Sequence, residues 1–383
     1  PGTIHVRDRT RLQAPHPILK VKFAYPTPNS YFETSFSDPK PRTSPANLTH
    51  PYTLMRPNSL WLTVLLCMTV TLADAQKSAD KPYKAYVVSN AHFDTQWNWD
   101  VQTSIRKGLL QTLEQNCWLI ENYPDYIFNF EGGVKYQWMK EYYPLLYDKV
   151  VRYVKQGRWY PAGACWDATD PIVPSTESAF RNILLGQQWY KQEFGVRSDD
   201  LFLPDSFGFG YAMPTIAGHA GLIGFSTNKF NWRYVEPKYP FQIGLWQGVD
   251  GSRIMSVLSG ARYDLDWQEL DLSRSQKLID RAQESGLGVT YNYYGVGDEG
   301  GAPSVFSAEA VQTGLRGDGP VQILSTNSAQ LYKDYLPFSK HPELPVHDGE
   351  LLMDRHGTAC YTVHAEMKLL NRRNEQLGAA AEQ

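Results

Sequence analysis

The chain has 383 residues, 42% of them hydrophobic and 20% charged, with a formal net charge of −3. That is enough chain for a large buried core in two or three domains, and the charge balance removes the electrostatic case for a nucleic-acid partner or an anionic membrane surface. The four cysteines, Cys67, Cys117, Cys165 and Cys360, form no CxxC pair, which argues against a thiolate zinc site and against a disulfide scaffold.

Residues 1–54 are rich in proline and lack apolar periodicity, so they predict a disordered upstream extension. Met55-Arg56-Pro57-Asn58, the apolar run 60–72 and Ala73-Asp74-Ala75 have the basic start, short hydrophobic region and A-x-A end of a signal peptide over 55–75. The run is short for a membrane-spanning helix. The expected product is therefore exported (periplasmic, extracellular or, in a eukaryote, lysosomal), with no membrane span after cleavage and with Cys67 removed. From residue 84 the pattern is α/β. Strands are predicted at 85–89, 126–130, 158–162, 200–203, 224–226, 289–294 and 321–324. Helices are predicted at 104–123, 136–156, 175–194 (Ser175 as N-cap, Gly195 as stop), 212–221, 273–285 and 308–316. Asp250-Gly251 between 244–247 and 252–257 predicts a hairpin. Alternating strands and helices imply a mainly parallel sheet or barrel, with ligands beyond the C-terminal strand ends.

Three polar motifs fall at such ends. Ser89-Asn90-Ala91-His92-Phe93-Asp94-Thr95-Gln96-Trp97 follows the first strand. In extended backbone His92 and Asp94 share a face, and an imidazole beside a carboxylate suits Zn2+, although a lone H-x-D is more often a structural pair and a lone Trp97 more often core. Pro204-Asp205-Ser206-Phe207-Gly208 follows the fourth strand; Asp205 reads either as a turn cap or as a nucleophilic carboxylate touching a metal. Gly297-Asp298-Glu299-Gly300-Gly301 follows 289–294, either as a surface turn or as an acidic pair on a backbone that a ligand can approach closely. Together they give the two carboxylates that retaining glycosidases require, ~5–5.5 Å apart around an oxocarbenium-like transition state. With 13% aromatic residues, the chain has rings for its core and for stacking on sugars.

These motifs resemble glycoside hydrolase family 38. His92-Phe93-Asp94-Thr95-Gln96-Trp97 is similar to its H-x-D-x-x-W element, and Pro204-Asp205-Ser206-Phe207-Gly208 to its nucleophile element. Glu131-Gly132-Gly133, Gly157-Arg158-Trp159, Trp166, Pro174-Ser175, Gly297-Asp298-Glu299 and the later Gly349-Glu350, Tyr361-Thr362 and Asn371-Arg372 keep the family's order over about 84–378. The resemblance implies a seven-stranded β/α barrel and a retaining exo-α-mannosidase with one Zn2+ per chain, acting on mannose-containing oligosaccharides. Carried over by position, His92, Asp94 and Asp205 would be zinc ligands and Asp205 also the nucleophile. Asp298 would be the general acid/base, with Glu299 the weaker candidate. Trp97, Phe207 and Lys229 would contact the sugar. The family also admits a homo-oligomer.

One departure stands out. The family's fourth zinc ligand is a histidine in a later His-Asp loop, to which nothing here corresponds; His356 and His364 are expected either to support the ligands from behind or to be structural. The helical and β-domains that follow in the family have no counterpart either. The expectation is thus a catalytic domain over 76–383, incomplete at its C-terminus, with a weaker zinc site. Two other classes stay open at this stage: an inactive carbohydrate-binding fragment, and a metal-dependent deacetylase on a similar barrel, for which no H-x-x-x-H-type element is present.

Overall fold

A computed structural model describes residues 81–231, 239–258, 261–353 and 357–383, all within one unit, Trp61–Gln383. The expected extension at 1–54, the signal segment at 55–75 with Cys67, and His356 lie outside the described residues.

The strands are β1 (Tyr83–Ala91), β2 (Phe128–Glu131), β3 (Trp159–Ala162), β4 (Asp200–Phe202), β5 (Gly224–Ser226), β6 (Ile243–Gln247), β7 (Arg253–Val257), β8 (Val289–Val296), β9 (Val321–Ser325) and β10 (Val346–Asp348). β1 is buried at seven successive positions, as a parallel strand covered on both faces must be. It pairs in parallel with β8 over Lys84–Ala91. It also pairs with β9 through Tyr83–Val87 and with β2 through Ser89 and Asn90; β3 extends this sheet beyond β2. A second sheet runs β10-β6-β7-β5-β4. Only its β6–β7 pair is antiparallel, the hairpin expected from Asp250-Gly251, with Gly251 at φ 81.

The parallel α/β architecture is as expected, but the closed seven-stranded barrel is not formed by hydrogen bonding among the described residues. Among the described residues the ladders form two five-stranded sheets, with β3 at an edge of one and β4 at an edge of the other. The sheets meet where the Ala164 N–H donates to the Asp200 carbonyl at 2.9 Å. They also share a core in which Tyr86 and Val88 of β1, Phe202 of β4, Met255 of β7 and Tyr293 of β8 are packed together.

Helices α1 (Leu110–Asn122), α2 (Gly133–Tyr142), α3 (Pro144–Lys155), α4 (Thr176–Phe194), α5 (Met213–His219), α6 (Gln276–Glu284), α7 (Val305–Arg316), α8 (Gln330–Asp334) and α9 (Ala365–Glu382) complete the order. The single helix predicted at 136–156 is two helices. Pro144 has no N–H to donate and forces Tyr143 out of the helical region, to φ −133 and ψ 52, so the chain breaks there and restarts with proline in the first turn. α4 ends as predicted: the Ser175 side chain accepts from the Ser178 N–H, and Gly195 stops the helix at φ 73. The first predicted helix begins with a wide π turn at Ser104–Leu109. There Gly108 passes so close to the Phe93 ring and the Glu299 carbonyl that a Cβ would lie 2.5 Å from each, and this packs α1 against the Asp298 loop. No helix among the described residues is long and apolar enough to cross a membrane.

Candidate active site

Five strands deliver side chains to one place. His92 follows β1, Glu131 ends β2, Asp205 follows β4, Lys229 follows β5 and Asp298 follows β8. Backbone pairing carries the first and third motifs together past the strand ends. The His92 N–H donates to the Val296 carbonyl at 3.0 Å and the Asp94 N–H to the Asp298 carbonyl at 2.9 Å, with a bridge between Phe93 and Glu299. Extended backbone puts His92 and Asp94 on one face, with Nε2 3.5 Å from Asp94 Oδ1. Asp205 Oδ2 lies 4.0 Å from the same nitrogen.

The other Asp205 oxygen, Oδ1, forms an ion pair with the buried Lys229 ammonium, which also sits 4.8 Å above the Phe207 ring. The Tyr263 hydroxyl joins the carboxylates, lying 2.8 Å from Asp205 Oδ1 and 3.0 Å from Asp298 Oδ1. Its ring is 5.1 Å from that of His92. Gly297 allows this approach, since a Cβ there would stand 2.4 Å from the Tyr263 ring. Asp298 is held at φ 59, in the left-handed region, which costs a non-glycine residue ~1–3 kcal/mol and is sustained only where surrounding contacts over-determine it.

The donor set fits a metal ion. Both His92 ring nitrogens are buried without a hydrogen-bond partner, and the neighbouring carboxylates stand at ion-pair rather than hydrogen-bond distance. One ligand atom each from His92, Asp94 and Asp298 lies within 4.8 Å of the others, a group that can hold a metal ion. Burial lowers the His92 pKa, but Asp94, Glu131 and Asp205 outweigh it and push it up to about 10. Burial likewise raises Glu131, yet Lys135 and His92 prevail and hold it down at about 2. So much negative charge around one imidazole is the electrostatic signature of a cation site.

A cavity of about 200 Å³ is lined by His92, Asp94, Asp205 and Phe207, with Asp170 and Cys360 also on its wall. It is smaller than the ~300–1,000 Å³ of drug-sized sites. Two larger cavities, of about 460 and 440 Å³, lie elsewhere and contain none of the His92 group. Trp97 does not line the small cavity; it is 59% exposed and edge-on to Trp99 at 5.9 Å. His364 is exposed ahead of α9 and is not part of the His92, Asp94 and Asp298 group.

Sequence reasoning missed Tyr263, Lys135 and the role of Glu131. Glu131 had a signal: like His92, Asp205 and Asp298, it stands at a strand's C-terminal end. Tyr263 had none, being in irregular chain.

Residues 82–350 match the sequence model of the glycosyl hydrolases family 38 N-terminal domain. The chain is 31% identical over 303 residues to Alpha-mannosidase G of Dictyostelium discoideum, covering 78% of this chain and 27% of that protein. It is 28% identical over 312 residues to Alpha-mannosidase 2C1 of Homo sapiens, covering 79% and 28%. It thus spans little more than a quarter of the length of these relatives. Among solved structures, an alpha-mannosidase from Enterococcus faecalis V583 superposes with a TM-score of 0.59 at 22% identity, over 70% of this chain and 31% of that one, a likeness of fold.

Proposed function

The chain belongs to glycosyl hydrolase family 38, and from that premise we propose that it carries the catalytic site of a zinc-dependent, retaining exo-α-mannosidase that removes terminal α-linked mannose from oligosaccharides. One observation carries the reading. Contacts of 2.8 and 3.0 Å to a single hydroxyl keep the Asp205 and Asp298 oxygens within about 6 Å of each other, which is closer than the ~6.5–9.5 Å that leaves room for a water in inverting enzymes and supports the retaining reading, whose carboxyls stand ~5–5.5 Å apart.

Tyr263 also ties the two carboxyls together. Its single hydroxyl hydrogen can serve only one of them at a time, and Lys229 already donates to Asp205 Oδ1. In this reading Asp205 is the nucleophile and Asp298 the group that exchanges a proton with the leaving oxygen. Asp205 then attacks the anomeric carbon as the bond to the leaving oxygen breaks, and Asp298 gives its proton to that oxygen. In the second half Asp298 takes a proton from water, which displaces Asp205 from the mannosyl ester and releases mannose. His92, Asp94 and Asp205 would hold Zn2+, with Asp298 alongside; when bound, the ion orients sugar hydroxyls and stabilises charge near the anomeric centre. Phe207 packs against the sugar, and Trp97 contributes only at the rim. The segment at 55–75 directs export.

The test is zinc content and aryl α-mannoside hydrolysis by the chain, with and without added Zn2+, beside Asp205→Asn. The reading expects about one zinc per chain and zinc-dependent turnover that Asp205→Asn abolishes. Full activity in Asp205→Asn would overturn it; mannoside binding without turnover, even with Zn2+, would instead mark a carbohydrate-binding fragment.

A further inference from the structure

Directly behind His92 lies a buried ion pair that the reaction does not use. Glu131 closes β2 and Lys135 stands in the first turn of α2, with 2% and 0% of their surfaces exposed. The Lys135 ammonium donates to Glu131 Oε1 at 2.9 Å, packed 5.5 and 5.3 Å from the ring centres of Phe93 and Phe130. Desolvating two charges this completely is rarely a gain in stability over an apolar pair of the same volume, so the pair calls for another reason.

That same Oε1 is 3.4 Å from His92 Nδ1. The opposite ring nitrogen, Nε2, faces Asp94 and Asp205. A neutral imidazole has one N–H and one bare nitrogen, and only the bare nitrogen can bind a metal. Carboxylates face both nitrogens, and an ionised carboxylate can only accept; once a metal ion shared with Asp94 and Asp205 takes the Nε2 lone pair, the remaining hydrogen belongs on Nδ1, beside Glu131. We propose that Glu131, fixed and neutralised by Lys135, is a positioning residue that sets the tautomer and ring orientation of His92 and so presents Nε2 to the metal. This rests on the metal reading of the site. It adds a division of labour within the buried pair: Glu131 holds the imidazole, and Lys135 holds Glu131 in the single position from which it can do so.

The deciding variant is Glu131→Met/Lys135→Met in the full chain, which removes acceptor and ammonium together and leaves no uncompensated charge. Two quantities are read. One is the melting temperature without metal; the other is Zn2+ affinity by competition with a chromophoric chelator, backed by the visible spectrum of the Co2+-loaded chain. The expected result is a melting temperature close to that of the parent with Zn2+ affinity lower by ~10–100-fold, the usual effect of removing a carboxylate behind a metal-bound histidine. The Co2+ bands should shift as well. If the double variant does not fold, Glu131→Gln decides, since it keeps the shape and loses only the anionic acceptor; a weaker but clear drop in affinity is expected. Unchanged Zn2+ affinity in a folded variant overturns the inference while leaving the metal site standing. A parent chain that takes up neither Zn2+ nor Co2+ overturns the metal reading, and this inference with it.

Discussion

Tyr263→Phe isolates the contact on which the carboxylate arrangement depends. The substitution deletes one oxygen and keeps the ring, so the packing against His92 at 5.1 Å and under the Lys229 ammonium at 6.0 Å survives. Lost are the contacts of 2.8 Å to Asp205 and 3.0 Å to Asp298. A hydrogen bond to a charged group contributes ~1.5–3 kcal/mol. At ~1.4 kcal/mol for each tenfold in rate, loss of that contact in the transition state slows turnover ~10- to 150-fold. Asp205 keeps Lys229 and the ring nitrogens of His92 are untouched, so zinc content should not change and KM should move little. The assay is steady-state hydrolysis of an aryl α-mannoside across a pH series, with zinc measured on the same samples. A loss in kcat together with a displaced pH profile fits a hydroxyl that orders the proton between the carboxyls. Undiminished kcat at full zinc content would refute the bridge, and activity lost only in step with zinc would make Tyr263 a support of the metal instead.

Two further predictions follow from separate parts of the molecule. If Asp298 is the acid, Asp298→Asn should cost ~10²–10⁴-fold on substrates with a poor leaving group and far less on a dinitrophenyl mannoside, which needs no protonation; equal losses on both would remove Asp298 from that role. Asp200 is fully buried at the start of β4, with its Oδ2 unpartnered, and burial raises its pKa from 3.8 to about 6. The fold therefore retains a proton there that the unfolded chain releases, so this group's contribution to stability is full below ~4 and is lost as the pH rises through about 6. Asp200→Asn abolishes that loss and should gain about 2.4 kcal/mol over the parent on going from pH 4 to pH 7.5, at ~1.36 kcal/mol for each full pKa unit. Urea unfolding of both proteins at the two pH values measures it, and a pH-independent difference would refute it.

What could be read from the sequence was what local backbone geometry decides. His92 and Asp94 were legible because alternation along an extended strand puts i and i+2 on one face, and Ser175 and Gly195 because helix caps use local chemistry. The position of Asp205 and Asp298 past strand ends was legible because a polar residue after a buried strand has few places to go in an α/β fold, while the roles expected of them came from the family resemblance. The break at Pro144 was equally local and was overlooked: apolar periodicity runs straight through 136–156, and the missing N–H outweighs it. Lys135 lay between the strand predicted at 126–130 and the helix predicted at 136–156 and carried no signal of its own; only the Phe93 and Phe130 rings closing over it reveal the burial. Tyr263 was illegible because its place depends on an approach to Gly297 across 34 positions of sequence. The sharing of one side of β1 between β9 and β2 is likewise a long-range outcome with no local pattern.

The charges of the site explain why these pieces belong together. Asp94, Asp205, Asp298 and Glu131 gather around one imidazole, and the ammonium groups paired with them are Lys229, on Asp205, and Lys135, on Glu131. Among the described residues, no lysine or arginine is paired with Asp94 or with the Asp205 oxygen facing His92. Without a cation the imbalance is met by the imidazole, whose pKa these carboxylates raise despite complete burial. A proton on Nε2, however, occupies the position a metal ligand must keep bare. A divalent cation at Nε2 supplies the missing positive charge and at the same time leaves the proton on Nδ1, facing Glu131. The buried pair, the unpartnered ring nitrogens and the excess of carboxylates thus have one common explanation, and loss of the metal should unsettle all three together.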